Sequence, residues 1–159
     1  MIEIKAPAQL NFNDDILRVF LAGSIEMGKA QPWQDALVDE CSDLDVIFYN
    51  PRRTDWDTSW TQDPTPGTQF HTQVTWELEH IEESDVVVFY FDPKTQSPIT
   101  LMELGYALGS DLDTIVFCPK DYFRYGNVVI TAQQNGTKVF TKHDEFVTEL
   151  RRKLNELSR

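Results

Sequence analysis

The side chain with the clearest chemical potential is Glu103, the only charged residue in the segment Pro98-Ile-Thr-Leu-Met-Glu-Leu-Gly-Tyr-Ala-Leu-Gly109. Apolar neighbours on a helix strip water from a carboxylate and raise its pKa, whereas a place in the N-terminal half of the helix favours the anion. A carboxylate that is poorly hydrated yet ionised is suited to nucleophilic attack. The same pattern also fits a solvent-facing glutamate at a subunit edge. Glu77 is the second candidate, because Gln73, Glu77 and His80 fall on one helix face beside Trp76. Two carboxylates at one leaving group can divide the labour, one as nucleophile and one for proton transfer. With Glu79, Glu82 and Glu83 close by, Glu77 also fits a solvated helix face.

Other residues offer binding rather than bond-making chemistry. Gly23-Ser24 directly follows an apolar run, where a glycine lets backbone approach a ligand and the serine supplies donors; a tight strand-to-helix turn explains the pair equally well. The chain lacks both a G-x-G-x-x-G and a P-loop lysine motif. Arg52 and Arg53 are rare positive charges that either hold an anion or base edge or pair with Asp55 and Asp57. Asp92 closes a strand, but a phosphoacceptor role would need an acidic pair after the first strand, where Ala22-Gly23-Ser24 stands; with Pro93 it reads as a turn. Cys41 and Cys118 are far apart and form no metal-like cluster with His71, His80 or His143, so buried reduced thiols are expected and no metal.

These side chains must be positioned by elements that hydrophobic period and punctuation reveal. Strand-type runs fall at residues 18–22, 46–49, 85–91, 114–118 and 138–140. Helical spacing appears at 32–41, at 71–83 with Val74, Leu78 and Ile81 on one stripe, and at about 144–157. The segment 98–109 is a further helix, with Ser97 as N-cap, Pro98 at the first position and Gly109 as terminator. Alternation predicts an α/β, flavodoxin-like or Rossmann-like three-layer sandwich over a single domain, residues 1–159, whose five-stranded parallel sheet has order 2-1-3-4-5. Ligands of such sheets bind beyond the strand carboxyl ends at the switch point, here where residues 22–25 meet 92–100. The long loop 50–70 reads as either functional or disordered, and its Trp56 and Trp60 argue for ordered packing or a lid.

The net charge of -12 and pI near 4.5 oppose polyanionic partners, so neither a nucleic acid polymer nor a membrane surface is expected. The amino-terminal residues lack the pattern of a secretory signal, and a cytoplasmic protein is the expectation.

The motifs in order are VFLAGSI, PWQ, Asn50-Pro51-Arg52-Arg53, Gln73-Val-Thr-Trp-Glu77, Ser84-Asp85, SPITLMELG and Phe123-Arg-Tyr-Gly-Asn127. Together, over about residues 18–140, they resemble the nucleoside 2-deoxyribosyltransferase family, in its branch of small single-domain members. The resemblance implies transfer of 2-deoxyribose between nucleobases through a glycosyl-enzyme, with Glu103 as nucleophile and retention at C1′. It places Glu77 near the base and Gly23, Ser24, Arg52, Gln73, Ser97 and Asn127 around the substrate. It implies no cofactor, deoxynucleosides and nucleobases as small-molecule partners, and a homo-oligomer in which Asn127 reaches the sugar 5′-hydroxyl of a neighbouring subunit. Ser97 stands where some members carry an aspartate, which leaves the proton donor unassigned. Trp33, Trp56, Trp60 and Tyr106 are the aromatic rings available to stack on a base. The alternatives are hydrolysis of deoxynucleosides or their 5′-monophosphates, with Ser24 and Arg52 on the phosphate, and a non-catalytic nucleotide-sensing module.

Overall fold

The computed structural model describes residues 1–9, 15–55, 57 and 59–158, Met27 by its backbone alone. Among these residues, six parallel strands form one sheet: β1 (Ile2–Lys5), β2 (Leu17–Gly23), β3 (Val46–Asn50), β4 (Val86–Tyr90), β5 (Thr114–Phe117) and β6 (Val139–Phe140), in order β1-β3-β2-β4-β5-β6. Five α-helices connect or follow them: α1 (Trp33–Glu40), α2 (Gln69–Glu83), α3 (Pro98–Gly109), α4 (Tyr125–Gln134) and α5 (His143–Leu157), with a short 3-10 turn at Glu26–Gly28.

The five-strand expectation is thereby corrected. The five predicted runs occupy positions β3-β2-β4-β5-β6, and β1 adds a sixth strand outside β3, with Ile2 opposite Ile47 and Ile4 opposite Tyr49. As an edge strand, β1 has only Ile2 and Ile4 packed on the core, and its alternation with Glu3 and Lys5 is brief. These charges blunt the open edge: Lys5 Nζ binds Asp35 at 3.0 Å and Glu3 accepts from Asn50 Nδ2 at 2.7 Å.

Strand alternation divides the interior into two cores. Phe20, Ala22, Val87 and Phe89 face α2, α3 and α4 through Trp76, Ile81, Leu104, Ala107, Val128 and Ala132. Val19, Leu21, Val86 and Val88 face α1 and α5 through Trp33, Leu37, Phe146, Leu150 and Leu154. Both faces of a parallel sheet are covered, so the strands are apolar throughout rather than alternating in polarity.

The helix ends explain how α2 and α3 are set. The Thr68 hydroxyl caps α2 by accepting from His71 N at 3.1 Å. Ser97 does stand at the N-cap of α3, but its hydroxyl does not cap the helix, contrary to the expectation. Gly109 is not the terminator either. Asp111, at φ 57°, takes the left-handed position, and Leu112 N bonds Ala107 O while Asp111 N bonds Leu108 O, a Schellman closure without glycine. No helix of the described residues is long and apolar enough to cross a membrane.

Candidate active site

The chain changes direction along the sheet between β2 and β4, and the loops leaving these strands meet there. Ser24 N donates to Tyr90 O at 3.0 Å, continuing the ladder that pairs Gly23 with Tyr90. The Ser24 hydroxyl accepts from Asp92 N at 2.9 Å and joins a ring of buried hydroxyls: Ser24–Ser97 at 2.6 Å, Ser24–Thr95 at 2.8 Å and Thr95–Ser97 at 2.7 Å. Asp92 turns the chain, accepting from Lys94 N at 2.9 Å and from Gln31 N at 3.1 Å.

On the α2/α3 side of the sheet, Glu103 shares the buried face of α3 with Thr100, Leu104 and Ala107 and is only 8% exposed. The solvent-facing alternative is thus excluded. Burial pushes its carboxyl well above the ordinary range, and the charge of Glu77 pushes it further. Among the described residues, the Glu103 carboxylate accepts no hydrogen bond. Glu77, half-buried on α2, is raised by burial to about 7, while a hydrogen bond from Gln73 Nε2 at 2.8 Å opposes the shift. The two helices therefore bring two mutually repelling carboxyls into one dry place, where ionisation of both together is disfavoured.

Gln73 is held for this task. Its amide donates also to Pro51 O at 3.2 Å, and its carbonyl accepts from Arg53 Nη1 at 3.3 Å, which fixes the amide with its NH₂ toward Glu77. Arg53 in turn forms a two-pronged pair with Asp55 at 2.8 and 2.9 Å and lies 4.8 Å over the Trp60 ring. Arg53 thus satisfies the pairing expectation with Asp55, while Asp57 accepts from Ser59 N instead.

Several expected roles change. Arg52 pairs with no aspartate among the described residues: its guanidinium donates to Ala30 O at 3.0 Å, Gln31 O at 2.9 Å and Gln34 Oε1 at 3.3 Å, tying the loop after β3 to α1 and the loop before it. The close approach that Gly23 permits is internal, since a Cβ there would meet the Trp33 ring and lie 2.6 Å from Tyr90 O. Trp33 is a core residue, stacked on Tyr90 at 4.6 Å and bonded through Nε1 to Ser24 O. Tyr106 is exposed on α3 and donates its hydroxyl to Glu82. Trp56 lies outside the described residues. His80 is buried against Trp76, whose carbonyl its Nδ1 meets at 2.7 Å, and joins the core rather than the carboxyl pair. Asn127 is exposed on α4, which packs beside α3.

Three residues escaped the sequence reading as parts of this site: Gln34 as a partner of Arg52, Arg53 as the support of Gln73, and Glu26, whose carboxylate accepts the amides of Gln96 and Ser97. The Arg53 role was open to inference from the i, i+4 pair Gln73–Glu77 with a cation nearby; the others depend on contacts between distant segments. No group of three or more His, Cys, Asp or Glu among the described residues is placed to hold a metal ion.

The architecture is that of a parallel α/β protein with a carboxyl pair on the helices beside the sheet's switch point. A family model described as nucleoside 2-deoxyribosyltransferase like matches residues 16–122, more than half of the chain, and the protein belongs to that family. A crystal structure of a conserved protein from Enterococcus faecalis V583 is similar in fold, with TM-score 0.64 and 16% identity over 87% of this chain and 99% of that one. None of the curated proteins compared with the chain matches it.

Proposed function

We propose that the protein transfers 2-deoxyribose from one nucleobase to another through a covalent ester on Glu103. The observation that carries this reading is the pairing of a buried Glu103, free of hydrogen bonds among the described residues, with a Glu77 that Gln73 orients. Together with the family, that pair supplies what a retaining displacement at a glycosidic carbon needs.

In the first step the Glu103 carboxylate attacks C1′ from the face opposite the base. The C1′–O bond forms as the C1′–N bond breaks, and the bonding electron pair leaves with the base nitrogen, which takes a proton. A pair holding one proton and one charge has both components, with Glu77 as the proton source and Glu103 as the anion. The positive charge that develops on the sugar draws the negative charge toward Glu103, which lacks a donor of its own, as the proton settles on Glu77. In the second step a nitrogen of another base attacks C1′, the ester bond returns its electrons to Glu103, and Glu77 accepts the proton lost by the incoming base. Two inversions give retention.

The active form is a homo-oligomer. Ile99, Met102 (62% exposed) and Tyr106 on α3, Ile130 on α4 and Phe123 (55%) just before α4 are exposed, as is Asn127 on α4. Apolar exposure of this kind on adjacent helices suits burial against a second copy, which would carry Asn127 toward the partner's sugar. Incubation with deoxyinosine and adenine is expected to give deoxyadenosine and hypoxanthine. Absence of both exchange and hydrolysis across purine and pyrimidine donors rejects the reading, and hydrolysis without exchange replaces it by a deoxynucleoside hydrolase.

A further inference from the structure

Gln73 is buried on α2 one turn before Glu77, and its amide is spoken for within the chain. A side-chain amide offers two N–H donors and one carbonyl. Both Gln73 donors are committed, one to Glu77 Oε1 at 2.8 Å and one to Pro51 O at 3.2 Å, and the carbonyl accepts from Arg53 Nη1 at 3.3 Å. A guanidinium only donates and a backbone carbonyl only accepts, so these two neighbours fix which end of the amide meets Glu77. No donor is left to read a substrate, the role that the family resemblance implied for Gln73.

Behind the amide stands a sheltered charge. The Arg53 side chain is 6% exposed and that of its partner Asp55 is 66% exposed, so water screens the carboxylate more than the guanidinium. The guanidinium polarises the Gln73 carbonyl, which strengthens the N–H donors on the far side of the same amide. The charged groups around Glu77 are thus Arg53 with Asp55, reached through Gln73, and Glu103 on α3, whose charge repels the Glu77 anion. Among the described residues Glu77 forms no ion pair, and Gln73 is its one donor.

We propose that Gln73 is a positioning residue, polarised by Arg53, whose amide stabilises the carboxylate that Glu77 becomes when it gives its proton to the departing base. This rests on the reading of the site given above. As the C1′–N bond breaks, its electron pair stays on the base nitrogen and the Glu77 proton moves there; the charge left on Glu77 meets an N–H already aimed at Oε1. The incoming base later returns a proton to Glu77, and the same hydrogen bond weakens. A donor that binds the anion more strongly than the acid favours the step that creates the anion, and it is in place before that step begins.

The test reads Glu77 both directly and through turnover. In a Glu103→Gln background, which removes the neighbouring charge, the Glu77 carboxyl is titrated by carbon-13 NMR with and without Gln73→Met. The midpoint is expected to rise by about one pH unit or more when the amide is lost. An unmoved or lowered midpoint overturns the proposal. With Glu103 intact, Gln73→Met is expected to lower kcat about tenfold or more with KM little changed, to displace the alkaline limb of the pH profile upward, and to cost most for bases that leave only once protonated. A fall equal at every pH overturns the proposal and marks a structural residue; a change in KM that reorders the preferred bases overturns it and marks a reader of the base. If the parent catalyses neither exchange nor hydrolysis, the proposed reaction fails by itself and the titration alone decides the role of Gln73. Should Gln73→Met not fold, Arg53→Gln takes its place in both measurements, with the same directions and smaller shifts expected, and no shift there overturns the proposal.

Discussion

Two groups of oxygen atoms lie at the carboxyl edge of this sheet, and the fold treats them in opposite ways. Around Ser24, Thr95, Ser97 and Glu26 the polar atoms satisfy one another or backbone amides at 2.5–2.9 Å. Around Glu103 and Glu77 they do not: one carboxyl has no hydrogen bond among the described residues, the other has one donor, and both are driven toward the protonated form by burial. Saturated hydrogen bonding fixes a loop, because every movement breaks a bond that water cannot replace. An under-bonded buried carboxyl is energetically uncomfortable, and that discomfort is what a reacting group retains for an electrophile.

The sharpest break of this contrast is Glu103→Gln, which keeps shape and removes the nucleophile. Base exchange is expected to fall on the order of 10⁴-fold or more, read by following free and incorporated base by chromatography. Glu77→Gln leaves the nucleophile and removes the proton carrier; kcat should fall about 10²–10⁴-fold, with the loss smallest for bases that leave readily without protonation.

The pair should also be visible in stability. Folding raises the Glu77 pKa from the usual 4.5 to about 7, so the folded state holds a proton that the unfolded chain releases at lower pH. The stabilising effect of that proton is complete below pH 4.5 and is lost as pH rises through about 7, and Glu103, raised in the same sense, adds to it. The thermal unfolding midpoint of the parent protein should therefore fall between pH 5 and pH 8 by more than that of Glu77→Gln or Glu103→Gln. A parallel fall in all three would remove the strain from the account.

On the saturated side, Gly23→Ala forces a methyl group against the Trp33 ring and the Tyr90 carbonyl. A loss of about 1–3 kcal/mol in unfolding free energy, by denaturant titration, is expected from overpacking. The smallest effect is expected for Arg53→Lys, which keeps the charge but loses the fork that holds both Asp55 and Gln73. A several-fold fall in kcat with little change in KM would mark Arg53 as a positioning residue, whereas a change confined to stability would make it structural.

How much of this was legible in the sequence follows the same division. The parallel sheet was, because strands buried on both faces read as apolar runs such as Val86–Tyr90, and helices of period 3.6 separate them. β1 was not, since an edge strand of four residues needs only Ile2 and Ile4 and draws its hydrogen bonds from β3. Helix α4 also passed unseen, burying only Val128 and Ala132. Within the site, Glu103 stood out as one charge in an apolar helix, and Gln73 and Glu77 as a helical i, i+4 pair. The Glu26 contact left no such trace: its carboxylate joins segments seventy residues apart by accepting the Gln96 amide, and neither backbone amides nor left-handed residues have a side-chain signature. The partners of Arg52 are mainly carbonyls, which every residue carries, so nothing in the sequence distinguished them from the expected aspartates.

The covalent step is open to direct observation. Protein mixed with a 2′-deoxynucleoside, quenched in acid during turnover and digested, is expected to yield a peptide containing Glu103 heavier by one deoxyribosyl group, and to yield none in Glu103→Gln. Robust base exchange with no adduct on that peptide at any quench time, or an adduct mapping to Glu77, would contradict the assignment of Glu103 as nucleophile.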